Sequence, residues 1–213
     1  ANSSFMRGRR IFVDRTYVFD LDGTITVEES LPRLAKEVGP DAGFVMDELT
    51  KRTVRGEVDF EKSFRQRVDM LKEIPIYRAR IVMSQLVLDP HIYKFIRRNK
   101  KYCIIVTCNL DTWVAPIAQK LGCQVFSSKA IVEDGMITGV ESVLNKDAVM
   151  QMISTYYPNV VGVGDSYNDI PILKYADVGI AYGGVHKPPK ELLVHADYVE
   201  TSGAKLVEVL ENI

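Results

Sequence analysis

Short apolar runs rich in β-branched and aromatic residues recur along the chain, at TYVFD (16–20), YCIIVT (102–107), QVFSS (124–128), NVVGVGD (159–165) and DVGIA (177–181). Most are apolar on both sides of an extended chain, which predicts strands buried on both faces. Segments of helical periodicity separate them, as in DTWVAPIAQKLG and KDAVMQMISTYY. This alternation predicts an α/β fold with a doubly wound parallel sheet. From Glu28 to Leu88 helical patterning continues without a convincing strand, and Gly39-Pro40, Gly56 and Ile74-Pro75 divide it into about four pieces. A helical bundle over 28–88, inserted after the first strand into a core made of 1–27 and 89–213, is therefore expected. Asp134-Gly135 between alternating apolar positions predicts a β-hairpin near 130–139. No internal repeat or low-complexity tract interrupts this plan.

Composition narrows the classes of partner. Twenty-seven Lys and Arg against 28 Asp and Glu leave a net charge of −1, so nothing in the balance draws the chain to nucleic acid or an anionic membrane. Cys103, Cys108 and Cys123 are odd in number and form no CxxC pair, which reads as unpaired thiols in a reducing compartment. No apolar segment is long enough to span a bilayer, and the opening ANSSFMRGRR lacks the apolar centre of a signal peptide. A cytoplasmic location is expected, with the residues before Met6 read as an expression remnant and left out of the fold. The oligomeric state is left unassigned.

Chemistry first shows in YVFDLDGTIT, where an apolar strand runs into Asp20 and Asp22. Side chains two apart in an extended segment point the same way, so both carboxylates are expected to crowd one spot. Burying like charges is unfavourable without a cation or a hydrogen-bond network. In parallel sheets ligands bind beyond the carboxyl ends of the strands. Thr107 stands at a second such end and Asp165 and Asn168 at a third. A carboxylate cluster lacking histidine or cysteine is an all-oxygen environment suited to Mg²⁺, which would neutralise Asp20 and Asp165 and shield an arriving phosphate dianion. The alternative for DLDGT is a turn in which Asp and Gly reverse the chain.

FDLDGT, the lone Thr107, Lys146 opening a helix and GDSYND at 164–169 together resemble the four motifs of haloacid dehalogenase (HAD) superfamily phosphatases. The resemblance runs in order from about Tyr17 to the C-terminus, and the helical insertion matches that family's cap. It implies a Rossmann-like core and a role for each residue. Asp20 would attack phosphorus to form an aspartyl phosphate. Asp22 would protonate the leaving group and later accept a proton from water. Thr107 would donate a hydrogen bond to the phosphate, and Lys146 would set a positive charge against its oxygens. Asp20, Asp22 and Asp165 would hold Mg²⁺, with Asn168 and Asp169 orienting ligands or waters and Gly23 leaving backbone amides free near the phosphate. Apart from the resemblance, Thr107 reads as a strand-end threonine, Lys146 as a solvated lysine, and residues 165–169 as a helix start.

The segment DFEKSFRQRVDML adds an inference from periodicity alone. Phe60, Phe64, Val68 and Leu71 fall on one helical face, and Arg67 lies within that stripe. A buried arginine needs an anion, either a structural acid inside the bundle or a substrate, unless its head reaches water. EESLPRLAKEVG and GEVDFEKSFRQRVDMLKEIP resemble the phosphoserine phosphatases within the superfamily. That resemblance implies Glu29 for a substrate ammonium and Arg67 for its carboxylate. Cys108 falls at the substrate pocket as a neutral thiol. Cys108-Asn109 stands where that family usually has serine and two glycines, and Val54 where a larger apolar residue is usual. His91, His186 and His195 show no ligand spacing and read as exposed or hydrogen-bonded structural residues, and AYGGVHKPP as a surface turn. The expected protein is a Mg²⁺-dependent phosphomonoester hydrolase acting on O-phosphoserine or a similar small phosphorylated metabolite. The alternatives are a phosphatase or phosphotransferase for a phosphosugar or phosphoethanolamine, and a non-catalytic protein that carries phosphate on Asp20 as a signal.

Overall fold

The computed structural model describes residues 14–213, so the residues before Met6 lie outside the described residues. A seven-stranded sheet forms the centre. Its strands are β1 (Thr16–Phe19), β2 (Cys103–Leu110), β3 (Gln124–Glu133), β4 (Met136–Ser142), β5 (Val160–Gly164), β6 (Val178–Tyr182) and β7 (Tyr198–Glu200), in the order β4-β3-β2-β1-β5-β6-β7. Neighbours run parallel except the β3–β4 hairpin, which turns at Asp134-Gly135, both at positive φ.

Period-two alternation decides which side chain meets which layer. Phe19, Ile105 and Val163 enter one apolar cluster, together with Phe95 and Ile96 of α5 (Pro90–Arg98), Trp113 and Ile117 of α6 (Asp111–Leu121) and Leu206 of α10 (Gly203–Asn212). Val18, Ile104, Val106 and Val160 enter the other, against Met150 and Ile153 of α7 (Lys146–Tyr156), Ile172 and Leu173 of α8 (Ile170–Lys174) and Leu192 of α9 (Lys190–Leu193). Both faces of the sheet are thus covered, as two-sided apolar strands require. The α/β fold class read from the pattern is borne out.

Four helices lie between β1 and α5, matching the pieces read from the glycine and proline breaks: α1 (Ser30–Ala35), α2 (Pro40–Val54), α3 (Phe60–Leu71) and α4 (Ile76–Ser84). The chain leaves and returns side by side, since Val27 N donates to Val87 O at 3.1 Å and Thr26 bridges Leu88. Asp59 caps α3 by accepting from Lys62 N, and the helix buries Phe64, Arg67, Val68 and Leu71. Because β1 has β2 on one side and β5 on the other, their carboxyl ends form a crevice where the strand order reverses.

Candidate active site

The crevice is a small pocket of about 70 Å³. Asp20, Asp22, Glu29, Arg67, Thr107, Cys108, Lys146 and Asn168 all line it. The structure therefore brings the expected residues from β1, α1, α3, β2, α7 and the 3₁₀ turn at Tyr167–Asp169 to one place. Val54 lines it too.

Asp20 follows β1 and is fixed in the sheet by its amide, which donates to Val163 O at 3.0 Å. Lys146 Nζ donates to Asp20 Oδ1 at 2.7 Å and to Asp169 Oδ1 at 2.6 Å, with all three side chains buried. The lysine is therefore no solvated surface residue. Asp169 Oδ2 also accepts from Asp165 N, Ser166 N and Ser166 Oγ, so its carboxylate is fully engaged. Asp165 accepts from Thr24 Oγ1 at 3.0 Å through Oδ1, while its buried Oδ2 has no partner.

Carboxylate oxygens of Asp20, Asp165 and Asp169 lie within 4.8 Å of one another. Burial pushes Asp20 up to about 8, and Asp169 adds to the shift against the opposing pull of Lys146. Burial and the neighbouring Asp169 and Asp20 likewise hold Asp165 well above the ordinary carboxylate range. Burial also acts against ionisation of Asp169, but Lys146 and the backbone amides outweigh it and leave this acid lowered. A proton on Asp20 would quench it as a nucleophile, and a divalent cation removes that obstacle. With Oδ2 of Asp165 unpartnered, the clustered carboxylates of Asp20 and Asp165 are a donor set such an ion fits. Asp169, already saturated, is suited to orienting its neighbours rather than to ligation.

Asp22 corrects one expectation. The chain turns at Gly23, whose φ is +77°. Asp20 and Asp22 do line one pocket and Asp22 adds to the upward shift of Asp20, but Asp22 is held by hydrogen-bond partners of its own. Asp22 Oδ1 accepts from Ser30 N at 3.0 Å and Oδ2 from Asn109 Nδ2 at 3.0 Å, so its side chain lies outside the acid cluster expected to include it. Burial, then Glu29, raises Asp22 above the ordinary carboxylate range.

Arg67 is 5 % exposed, and among the described residues it forms no ion pair. Its Nη1 reaches Thr50 Oγ1 at 3.4 Å, its Nε has no partner, and the parallel rings of Phe60 and Phe64 lie 5.8 and 5.9 Å from its guanidinium carbon. Burial lowers its pKa, against the pull of Glu29 and Asp22. Among the described residues, the structural salt bridge weighed from the sequence is not formed.

Cys108 remains a neutral thiol, pushed up to about 11 by burial, and its Sγ accepts from Asn168 Nδ2 at 3.2 Å. All three cysteines are free. His186 is a hydrogen-bonded histidine within the loop AYGGVHKPP, its Nε2 lying 2.8 Å from Oε1 of Glu29, which lines the pocket. Asn109, Ser30 and Thr24 were not singled out as functional by their residue type. Their contacts to Asp22 and Asp165 join positions up to 141 residues apart, which local pattern cannot display.

The sequence matches the family model for haloacid dehalogenase-like hydrolases over residues 17–174. The chain belongs to that family. The hydrolase is 31 % identical over 180 residues to phosphoserine phosphatase of Methanocaldococcus jannaschii, covering 78 % of this chain and 83 % of the relative. A substrate-bound phosphoserine phosphatase structure superposes with a TM-score of 0.81 at 27 % identity, covering 94 % of this chain and 99 % of the other. A phospho-aspartyl intermediate analogue of phosphoserine phosphatase gives 0.77 at 26 % identity, covering 93 % and 98 %. The expected class, a phosphoric monoester hydrolase related to the phosphoserine phosphatases, is borne out.

Proposed function

We propose that this hydrolase cleaves O-phosphoserine, or a small phosphate monoester that likewise bears a carboxylate, with Mg²⁺ as its cation. One observation carries the reading: a buried guanidinium without an ion-pair partner among the described residues faces the same pocket as Asp20 and Asp22. An unpaired buried charge is costly, and a substrate carboxylate suits the guanidinium fork. Glu29, on the pocket wall, would take the ammonium.

The chemistry follows from the atoms available. Asp20 attacks phosphorus, forming an Asp20 O–P bond as the ester P–O bond breaks, and Asp22 gives its proton to the departing alkoxide. Water then attacks the aspartyl phosphate, Asp22 takes one of its protons, and inorganic phosphate leaves with Asp20 restored. Thr107 and Lys146 hold phosphate oxygens, and Lys146 exchanges part of its hold on Asp20 for them as charge develops. Asp20 and Asp165 would hold Mg²⁺, with Asn168 and Asp169 orienting its surroundings and Gly23 letting the backbone pass close by. When bound, the ion neutralises these acids and draws charge from the phosphoryl oxygens.

In this reading residues 28–88 act as a cap over the core formed by 1–27 and 89–213, excluding bulk water during transfer. The described residues include no helix long and apolar enough to cross a membrane, and a cytoplasmic setting with a small-molecule substrate, without nucleic acid, fits the near-neutral charge. The test is Mg²⁺-dependent phosphate release from O-phosphoserine, phosphoethanolamine and sugar phosphates. O-phosphoserine is expected to lead the panel, and Arg67→Ala to erase its advantage over phosphoethanolamine. Equal rates on all three with the wild-type chain would overturn the assigned specificity.

A further inference from the structure

Asn109 is 4 % exposed, and its amide group is fully used. Its Nδ2 donates to Asp22 Oδ2 at 3.0 Å and to Ser30 Oγ at 2.7 Å, and its Oδ1 accepts from Leu110 N at 2.8 Å. Its own amide donates to Thr107 Oγ1 at 3.1 Å. Ser30 N completes the arrangement by donating to Asp22 Oδ1 at 3.0 Å. Asp22 is thus held at both oxygens, once from the end of β2 and once from the first residue of α1 in the inserted helices.

We infer that Asn109 is a positioning residue that aims Asp22 at the leaving-group oxygen and makes that aim depend on α1 being seated. This rests on the reading of Asp22 as the acid. A carboxyl group turns freely about its terminal torsion unless both oxygens are engaged. The bond from Ser30 N fixes one oxygen, and the Asn109 amide fixes the other. Since Leu110 N locks the amide through Oδ1, Nδ2 can face only Asp22 and Ser30. A glycine at this position supplies no such donor, so the residue sets this chain's own geometry at the step where a proton crosses to the alkoxide. Efficient proton transfer needs the donor within hydrogen-bond reach and correctly oriented, so loosening Asp22 slows that transfer more than it slows attack by Asp20.

The consequence is visible in leaving-group dependence. Ethyl, monofluoroethyl and trifluoroethyl phosphate are nearly equal in size and graded in the acidity of the alcohol released. The poorest leaving group needs the acid most. With Asn109→Ala, kcat/KM for ethyl phosphate is expected to fall about 10- to 100-fold while that for trifluoroethyl phosphate falls less than about threefold. The plot of log kcat/KM against leaving-group pKa steepens. Asn109→Leu, which keeps the branched shape and removes the donor without setting a second acid against Asp22, carries the same test if the alanine variant does not fold. A parallel drop for all three esters would overturn the proposal, because a merely structural role lowers them together. Asp22→Asn on the same series separates the two claims. If it leaves the slope unchanged, the assignment of Asp22 as the acid fails. If it steepens the slope and neither Asn109 variant does, only the role of Asn109 fails.

Discussion

Arg67 sits beside two stacked phenylalanine rings with its Nε unsatisfied, so its removal relieves a buried charge in the free protein and costs only the bound state. Arg67→Ala is expected to raise KM for a carboxylate-bearing ester about 10- to 100-fold, the range of a hydrogen bond to a charged group, with kcat for phosphoethanolamine nearly unchanged. Steady-state kinetics on the two esters reads this directly. Gly23 makes a sharper demand, since a Cβ there would lie 2.6 Å from Asp165 Oδ2 in a backbone that already has φ +77°. Gly23→Ala is expected to lose about 1–2 kcal/mol of stability from backbone strain and most of its activity from displacement of Asp165, measurable by denaturant melts and phosphate release. At this scale the sequence is eloquent where chemistry is written in adjacent letters, as in FDLDGT and GDSYND. It is silent on Asn109 and His186, whose partners lie 87 and 157 residues away in the chain.

Among the elements, the inserted helices were legible because their breaks are glycines and prolines, and α3 because an arginine interrupts an apolar stripe. β7 was missed: it is three residues long, and its Tyr198 and Val199 are 41 % and 52 % exposed, so it has no two-sided apolar run to betray it. β3 runs on from Ser128 to Glu133 as one strand with the hairpin, although its outer half is largely exposed. The turn between α2 and α3 presses on the fourth motif, because a Cβ on Gly56, which has φ +73°, would lie 2.4 Å from the Tyr167 ring. Gly56→Ala should push this turn off the core. The expected result is a several-fold rise in KM and faster proteolytic cutting near residues 55–59, with kcat changed less. An unchanged digestion pattern would count against Tyr167 as the seat of that turn.

Across the whole molecule the acid cluster couples stability to the cation. Without one, Asp20 is raised from 3.8 to about 8, and Asp165 is raised in the same direction. A group whose folded-state pKa is raised contributes stability that is full below its unfolded value and lost as pH climbs through the folded one. The metal-free protein should therefore lose melting temperature between pH 4 and 8, and added Mg²⁺ should restore more of it at pH 8 than at pH 5, because ligation requires the ionised acids. Melting curves with chelator and with Mg²⁺ across that range check both statements. The covalent step is the claim on which the rest depends, and it can be tested by quenching the enzyme during turnover, reducing any acyl phosphate with borohydride and mapping the peptides. Conversion of Asp20 to homoserine, dependent on substrate and on Mg²⁺, is the predicted result. Turnover that proceeds with Asp20 unmodified would contradict the account.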